Sequence, residues 1–298
     1  MILYMGNIDL AALEIFKAVV DQGSITKAAT RLNRVPSNVT TRVKQLEERL
    51  GTQLFRRGNR RLVLSAEGKR LLGYADRLLT LSREAEAALR SGPPAGAFQL
   101  GALESTAATR LPPILSRYHR RYPEVRLELV TGTTGALIAK VMDHEVEAAF
   151  VAEPFTASEL EGSPVFSEEL VLITPKSFRR IKTPRDIGRT TLIAFAAGCS
   201  YRRRLEGWLG DAKVVPERVL EFGSYHAIVA CVAAGAGIAI VPRSVIRVSL
   251  ASADVATCAL PAAVAKARTF LVWRQGHQSI LLDAMREEIR RATGHTSV

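Results

Sequence analysis

The spacing of apolar residues divides the chain into a helical first third and a longer segment in which strands and helices alternate. Leu10, Leu13, Ile15, Phe16, Val19 and Val20 give Ile8 to Asp21 the apolar face of a helix, and Gly23 supplies its stop. Ile25, Ala28, Ala29 and Leu32 share a face behind Ser24, a natural N-cap, which predicts a second, short helix. Asn33, Arg34 and Val35 break that pattern. Pro36 can open a third helix because no donor is lost at the first position, and Val39, Val43, Leu46 and Leu50 form its buried stripe up to Gly51. Gln53 to Arg57 and Arg61 to Leu64 read as two short strands around the turn pair Gly58-Asn59. From Ala66 to Arg90, Leu71, Ala75, Leu78, Ser82, Ala85 and Leu89 alternate spacings of four and three, a heptad seam on one long helix. Ser91-Gly92-Pro93-Pro94-Ala95-Gly96 then breaks everything and marks a domain boundary.

Beyond it the pattern predicts an α/β arrangement with a parallel sheet. Strands are expected at Phe98 to Leu103, Val125 to Val130 and Ala148 to Val151, with helices at Arg110 to Tyr122 and Gly135 to His144 between them. Leu170 to Thr174 reads as a strand crossing into a second lobe. That lobe holds Thr191 to Phe195, a helix near Tyr201 to Leu209, Arg218 to Phe222, Ala227 to Ala234 and Ile238 to Val241. Phe270 to Trp273 returns, and a last helix, Ser279 to Ala292, packs on the first lobe.

What the third helix shows to solvent carries the chemistry. Ser37, Asn38, Thr40, Thr41, Arg42, Lys44 and Gln45 lie off its apolar stripe, short hydrogen-bonding or long cationic groups suited to base edges and phosphates in a major groove. The bland alternative is a solvated face on a small bundle. Charge favours the former, because Lys27 to Arg61 holds ten Lys or Arg against Glu47 and Glu48, a local balance of +8. Arg56, Arg57, Arg60 and Arg61 cluster around the strand turn, placed for phosphates or a minor groove.

The motifs Gly23-Ser24-Ile25-Thr26-Lys27-Ala28-Ala29, Val39-Thr40, Leu46 to Arg57 and Leu64-Ser65-Ala66-Glu67-Gly68 closely resemble the winged helix-turn-helix of LysR-type transcriptional regulators, in that family's order and spacing. One departure is visible: the family usually writes Ser-Gln-Pro where this chain has Val35-Pro36-Ser37. The resemblance implies a winged helix-turn-helix, all-α with a β wing, over residues 1–65 and a linker helix and hinge that dimerises over 66–95. Residues 96–298 then form a two-lobed, periplasmic-binding-protein-like effector domain. Lobe I is expected at about 96–165 and 268–298, lobe II at about 166–267. Ser24, Thr26 and Arg34 join Ser37, Asn38, Thr40, Thr41, Arg42, Lys44 and the four wing arginines as the DNA-binding set. Expected partners are double-stranded operator DNA, a small-molecule effector, a second copy in a homodimer or tetramer, and RNA polymerase.

Composition agrees with such a reading. The 298 residues suffice for two or three domains, 47% hydrophobic and 23% charged content is that of a globular protein, and +12 net charge argues for an anionic partner. The first ninety residues hold sixteen Lys or Arg against nine Asp or Glu, so most of the excess lies there. Cys199, Cys231 and Cys258 are odd in number, scattered and without metal-ligand spacing, so free thiols and no metal or cofactor are expected. Met1 to Asn7 lacks the marks of a leader, and no run of 18 apolar residues occurs; a cytoplasmic protein without membrane contact is expected.

In α/β sheets ligands gather at the carboxyl ends of strands, where following helices present free N–H groups. Ser105 and Thr106, Thr133 and Thr134, Ser200 and Tyr201, and Ser224 stand at such helix starts and form the candidate effector set, although hydroxyls there also serve as plain N-caps. Arg202, Arg203 and Arg204 point to an anionic effector, Glu104 and His226 to an amine. A two-lobed enzyme is the rival class, with His119, His144, His226 and His277 as bases, but none sits in a nucleophile elbow or phosphate loop. An effector-free architectural DNA protein would leave some 200 residues of α/β structure without a role.

Overall fold

The computed structural model of the chain describes residues 8–58, 61–89, 92–156, 158–178 and 181–294, with the side chains of 57, 58, 61, 83, 84 and 87–89 outside that description. Two compact units appear, one built on Met1–Arg90 and the other on Ser91–Met142 with Val146–Val298.

In the first unit α1 (Leu10–Gln22) is the central element. It starts two residues after the expected Ile8 because Asp9 accepts the Ala12 N–H at 2.7 Å and so caps it, and Gly23, at φ 60°, ends it. Helices α2 (Ile25–Arg31) and α3 (Pro36–Leu50) follow; Ile15 and Val19 of α1 meet Ala28, Ala29, Val39 and Val43 on one side. On the other side, Leu13 and Phe16 meet Leu46 and Leu54, and Leu71, Ala75 and Leu79 of α4 (Ala66–Leu89). Between α3 and α4 lies the wing, β1 (Phe55–Gly58) paired antiparallel with β2 (Arg61–Leu64). Glu47 Oε1 accepts the N–H groups of Leu54 (2.7 Å) and Phe55 (3.2 Å), which ties the wing to α3. Gly68 is required in α4, since a Cβ there would collide with the Leu54 carbonyl.

The heptad seam divides. Leu71 and Ala75 turn inward with Leu79, spacings of four that belong to packing against the unit's own α1. Leu78 faces solvent, and the outward stripe is Tyr74, Leu78, Leu81 and Ala85, with the three large residues 61%, 42% and 53% exposed.

The second unit opens with β3 (Gly96–Leu103), α5 (Glu104–Thr109), α6 (Leu111–Arg121), β4 (Val125–Gly132), α7 (Thr134–Met142) and β5 (Ala148–Ala152). Strand β6 (Leu160–Pro175) follows, then β7 (Leu192–Phe195), α8 (Ser200–Asp211), β8 (Val219–Phe222) and α9 (Tyr225–Ala233). The chain continues through β9 (Ala239–Pro242), α10 (Arg243–Val248), β10 (Val255–Ala259), α11 (Ala262–Ala265), β11 (Lys266–Arg274) and α12 (Ile280–Thr293). The sheet is mixed rather than wholly parallel: β3 runs parallel to β4 and β5, whereas β11 is antiparallel to both β5 and β6. The crossing strand is longer than expected. Leu160 to Glu169 of β6 pairs with β11, while Leu170 to Pro175 pairs with β10 and β9. Its first half is polar and partly exposed, so it carries no apolar run.

Two cores form, one within the first lobe around α12 and one that joins Leu137, Val141, Ala149 and Val151 of the first lobe to the second. Phe98, Leu100, Leu111, Ile114 and Tyr118 of the first lobe bury Leu281, Leu282, Met285 and Ile289 of α12, and the Tyr118 hydroxyl donates to the Leu281 carbonyl at 3.1 Å. In the second lobe α8 and α9 cover β6, β7 and β9 through Tyr201, Leu205, Leu209, Ile228, Val229 and Val232. The carboxyl ends of β3, β4, β5 and β7 meet where the lobes face each other.

Candidate functional site

Two surfaces offer recognition chemistry. On α3 the stripe Val39, Val43 and Leu46 is buried, which forces Ser37, Asn38, Thr41, Arg42 and Lys44 outward. Thr40 is half-buried and donates its hydroxyl to the Pro36 carbonyl at 3.0 Å, so only its oxygen lone pairs remain for a ligand. Arg34 lies 3.4 Å from Asn38 Oδ1, joining the turn to the helix face. Ser24 caps α2 by accepting the Lys27 N–H at 3.5 Å, while Thr26 is exposed beside it. Arg56 is exposed on the wing; Arg60 lies outside the described residues, as do the side chains of Arg57 and Arg61.

The local charge excess is smaller in space than along the chain. Arg49 pairs with Asp9 at 3.1 Å and Arg31 approaches Asp21 at 3.7 Å, two acids that precede the counted stretch. Arg49 and the Ala12 N–H together hold the Asp9 carboxyl below its ordinary pKa, with the backbone N–H contributing more. The cations not drawn into such pairs are the ones that matter for a polyanion, and Arg42 and Lys44 stand in the middle of the α3 face.

The second surface is a narrow slot of about 10 Å³, room for about one water molecule, lined by Leu103, Glu104, Gly132, Thr133, Ala152, Phe195, Cys199, Ser200, Tyr201 and Tyr225. Three of the expected effector residues, Thr133, Ser200 and Tyr201, line it. The others stand behind the wall: Ser105, Thr106 and Thr134 are buried, and Ser224 is half-buried at the start of α9. Ser200 is held across the cleft, its hydroxyl 2.8 Å from the Ala152 carbonyl and 3.0 Å from Thr134 Oγ1. Close by, a Cβ at Gly198, which sits at φ 89°, would come within 3.0 Å of Thr133 Oγ1. Thr133 accepts the Ala136 N–H at 3.4 Å, a capping contact for α7. Burial pushes the Tyr201 phenol well above its ordinary pKa, aided by nearby Glu168.

Sequence reasoning missed the aromatic wall. Phe195 and Tyr225 stack at 5.0 Å between ring centroids, and Cys199 Sγ lies 3.8 Å from the Tyr225 hydroxyl. An aromatic at the carboxyl end of β7 was the available signal for Phe195. Glu104 reaches from the start of α5 in one lobe to α9 in the other, where its Oε1 accepts the Tyr225 N–H at 3.3 Å and the Ser224 hydroxyl at 3.4 Å. Burial raises its pKa, opposed by those donors and by His226. The arginine triplet looks elsewhere. Arg202 pairs with Glu206 and Glu221, each at 2.6 Å, and Arg204 donates to the carbonyls of Ala263 and Lys266. Among the described residues no group of three or more His, Cys, Asp or Glu is arranged to hold a metal ion, and no helix is long and apolar enough to cross a membrane.

Both units have counterparts in known proteins. Residues 10–69 match the family described as bacterial regulatory helix-turn-helix protein, lysR family, and residues 91–294, about two thirds of the chain, match the LysR substrate binding domain. The chain belongs to the LysR-type transcriptional regulators. It is 39% identical over 275 residues to YusT of Bacillus subtilis strain 168, an uncharacterised HTH-type regulator, covering 92% of each chain. It is 40% identical over 241 residues to GltR of the same organism, covering 80% of this chain and 81% of GltR. Among solved structures, full-length OxyR C199D of Pseudomonas aeruginosa superposes with a TM-score of 0.71 at 19% identity, covering 96% of this chain and 95% of that one. CbnR complexed with target DNA gives 0.69 at 23% identity, covering 96% and 100%. The LysR-type chain therefore has a helix-turn-helix, a linker helix and an α/β substrate-binding domain, and its class is a DNA-binding transcriptional regulator rather than an enzyme.

Proposed function

We propose that this LysR-type regulator reads operator DNA with the outward face of α3, assembles through the exposed stripe of α4, and takes a small effector in the cleft between its lobes. The observation that carries the reading is the α3 face: Arg42 and Lys44 stand among short hydrogen-bonding residues on a helix whose opposite stripe is buried. Ser24, Thr26, Arg34 and the wing arginines Arg56, Arg57, Arg60 and Arg61 complete the proposed DNA-binding set. CbnR has been solved with its target DNA, which supports carrying the same partner to this chain.

The functional division we infer is a DNA-binding head at 1–65, a linker helix and hinge at 66–95, and an effector domain at 96–298. Tyr74, Leu78, Leu81 and Ala85 repeat every three or four residues, the spacing a helix needs to meet a second copy of itself, and a two-headed dimer matches a two-fold operator. A tetramer is the next order of assembly, RNA polymerase the protein partner and the cytoplasm the compartment that follow from this reading. In the cleft, Thr133, Ser200 and Tyr201 contribute directly, and Ser105, Thr106, Thr134 and Ser224 stand at the helix starts around it.

Selection of genomic DNA fragments by the full chain, followed by footprinting, tests the proposal. A protected two-fold site whose affinity falls steeply with salt is expected. Equal affinity for all fragments would overturn sequence-specific recognition.

A further inference from the structure

The chemical class of the effector is written in the cleft, and the inference rests on the effector reading above. Among the described residues that line it, Glu104 is the one charged group. Its Oε1 holds two long hydrogen bonds at the start of α9, whereas its Oε2 is buried and has no hydrogen-bond partner. A buried carboxylate oxygen without a donor is costly, and an ammonium group is the small ligand that supplies both donors and compensating charge. The neighbouring wall suits the same ligand: Phe195 and Tyr225, stacked on each other, both line the slot and offer aromatic surface to its alkyl part.

The competing chemistries fit less well. An anionic effector would share a narrow slot with the Glu104 carboxylate, and the positive end of α9, which would favour it, is already occupied by Glu104 Oε1. The nearby guanidinium groups of Arg202 and Arg204 are committed to Glu206, Glu221 and backbone carbonyls. A neutral apolar effector would leave Oε2 unpaired. We propose that this slot, which as it stands has room for about one water molecule, opens to bind a small cationic amine, its ammonium group on Glu104 Oε2 and its carbon skeleton against Phe195 and Tyr225. Because Glu104 also bridges the lobes to Ser224 and Tyr225, an amine seated there pulls on the contact that sets their relative orientation.

The test uses the full chain and three probes of matched size, n-butylamine, butyrate and n-butanol, titrated calorimetrically and by thermal shift. Binding and a rise in melting temperature are expected for n-butylamine alone. Glu104→Gln should weaken it tenfold or more, Glu104→Asp less, and Phe195→Ala should weaken it with Glu104 intact; circular dichroism verifies that each variant folds. Binding of n-butylamine to Glu104→Gln as tight as to wild type overturns the proposal. So does preference for butyrate, or binding of none of the three, which would leave the buried oxygen to a trapped water. Operator binding, measured in parallel, separates the two ideas: with operator recognised and butyrate preferred, the regulator stands and the amine falls, whereas loss of specific DNA recognition removes the regulator reading itself.

Discussion

Single side chains decide which charges are available for work. Arg42 and Arg49 are seven residues apart on α3, yet Arg49 is neutralised by Asp9 and Arg42 stands on the exposed face. Arg42→Ala is expected to lose about 1 to 3 kcal/mol of operator affinity and to relax preference at one base pair, measured by anisotropy across operator variants. Arg49→Ala should leave operator affinity nearly unchanged, since an exposed pair such as this contributes at most about 1 kcal/mol to the head's own stability. Glu104 presents the opposite case, a charge held where solvent is scarce. Its folded pKa lies above the ordinary 4.5, so the folded chain binds that proton more tightly than the unfolded one. Stability is therefore full below pH 4.5, falls as pH rises through the window up to the folded value, and stays reduced above it. Glu104→Gln should melt higher than wild type at neutral pH, with the gap closing as pH is lowered towards 4.5. A gap that widens on acidification would contradict the assignment.

At the level of elements, α4 has two faces, one packed on α1 and one exposed. Leu79 is buried against α1, and Leu78, one residue earlier, is exposed. Leu79→Ala should destabilise the head by about 2 to 5 kcal/mol in denaturant titration with the mass unchanged. Leu78→Asp should leave the fold intact and reduce the sedimenting mass, and wild-type mass in that variant would remove α4 as the interface. The division shows where the chain is legible and where it is not. Helices α1 to α4 announce themselves through apolar stripes, with signals at Ser24, Pro36 and Gly51, because local packing and local sequence agree there. A seam of spacings three and four, however, looks the same whether its residues serve one partner or two. Only the packing of α1 separates the two faces, burying Ala75 and leaving Leu78 to solvent. Strand β6 is half visible: Leu170 to Thr174 is an apolar run, whereas Leu160 to Glu169 is polar, partly exposed and silent. In the cleft, hydroxyls at helix starts are legible from their position. The stacking of Phe195 on Tyr225 and the reach of Glu104 across to α9 join residues far apart in sequence, and no local pattern encodes them.

Across the whole molecule, a regulator of this class couples two equilibria. If the cleft ligand changes operator affinity by a given factor, operator DNA must change ligand affinity by the same factor, commonly about 5- to 150-fold. Calorimetric titration of ligand with and without operator DNA checks this, and a ligand whose affinity ignores operator DNA does not act through operator affinity. The path of the chain through the second unit has a separate consequence. Glu169, where β6 leaves the first lobe's sheet, is the register partner of Lys266, where β11 re-enters it. The second lobe is thus a cassette spliced into the first, with its entry and exit held side by side on adjacent strands. Exchanging residues 170–265 for those of a relative needs only two junctions, both on one rung of one sheet, and carries Phe195, Ser200, Tyr201 and Tyr225 of the cleft lining as one piece, provided that the incoming lobe packs on Leu137, Val141, Ala149 and Val151, which share its core.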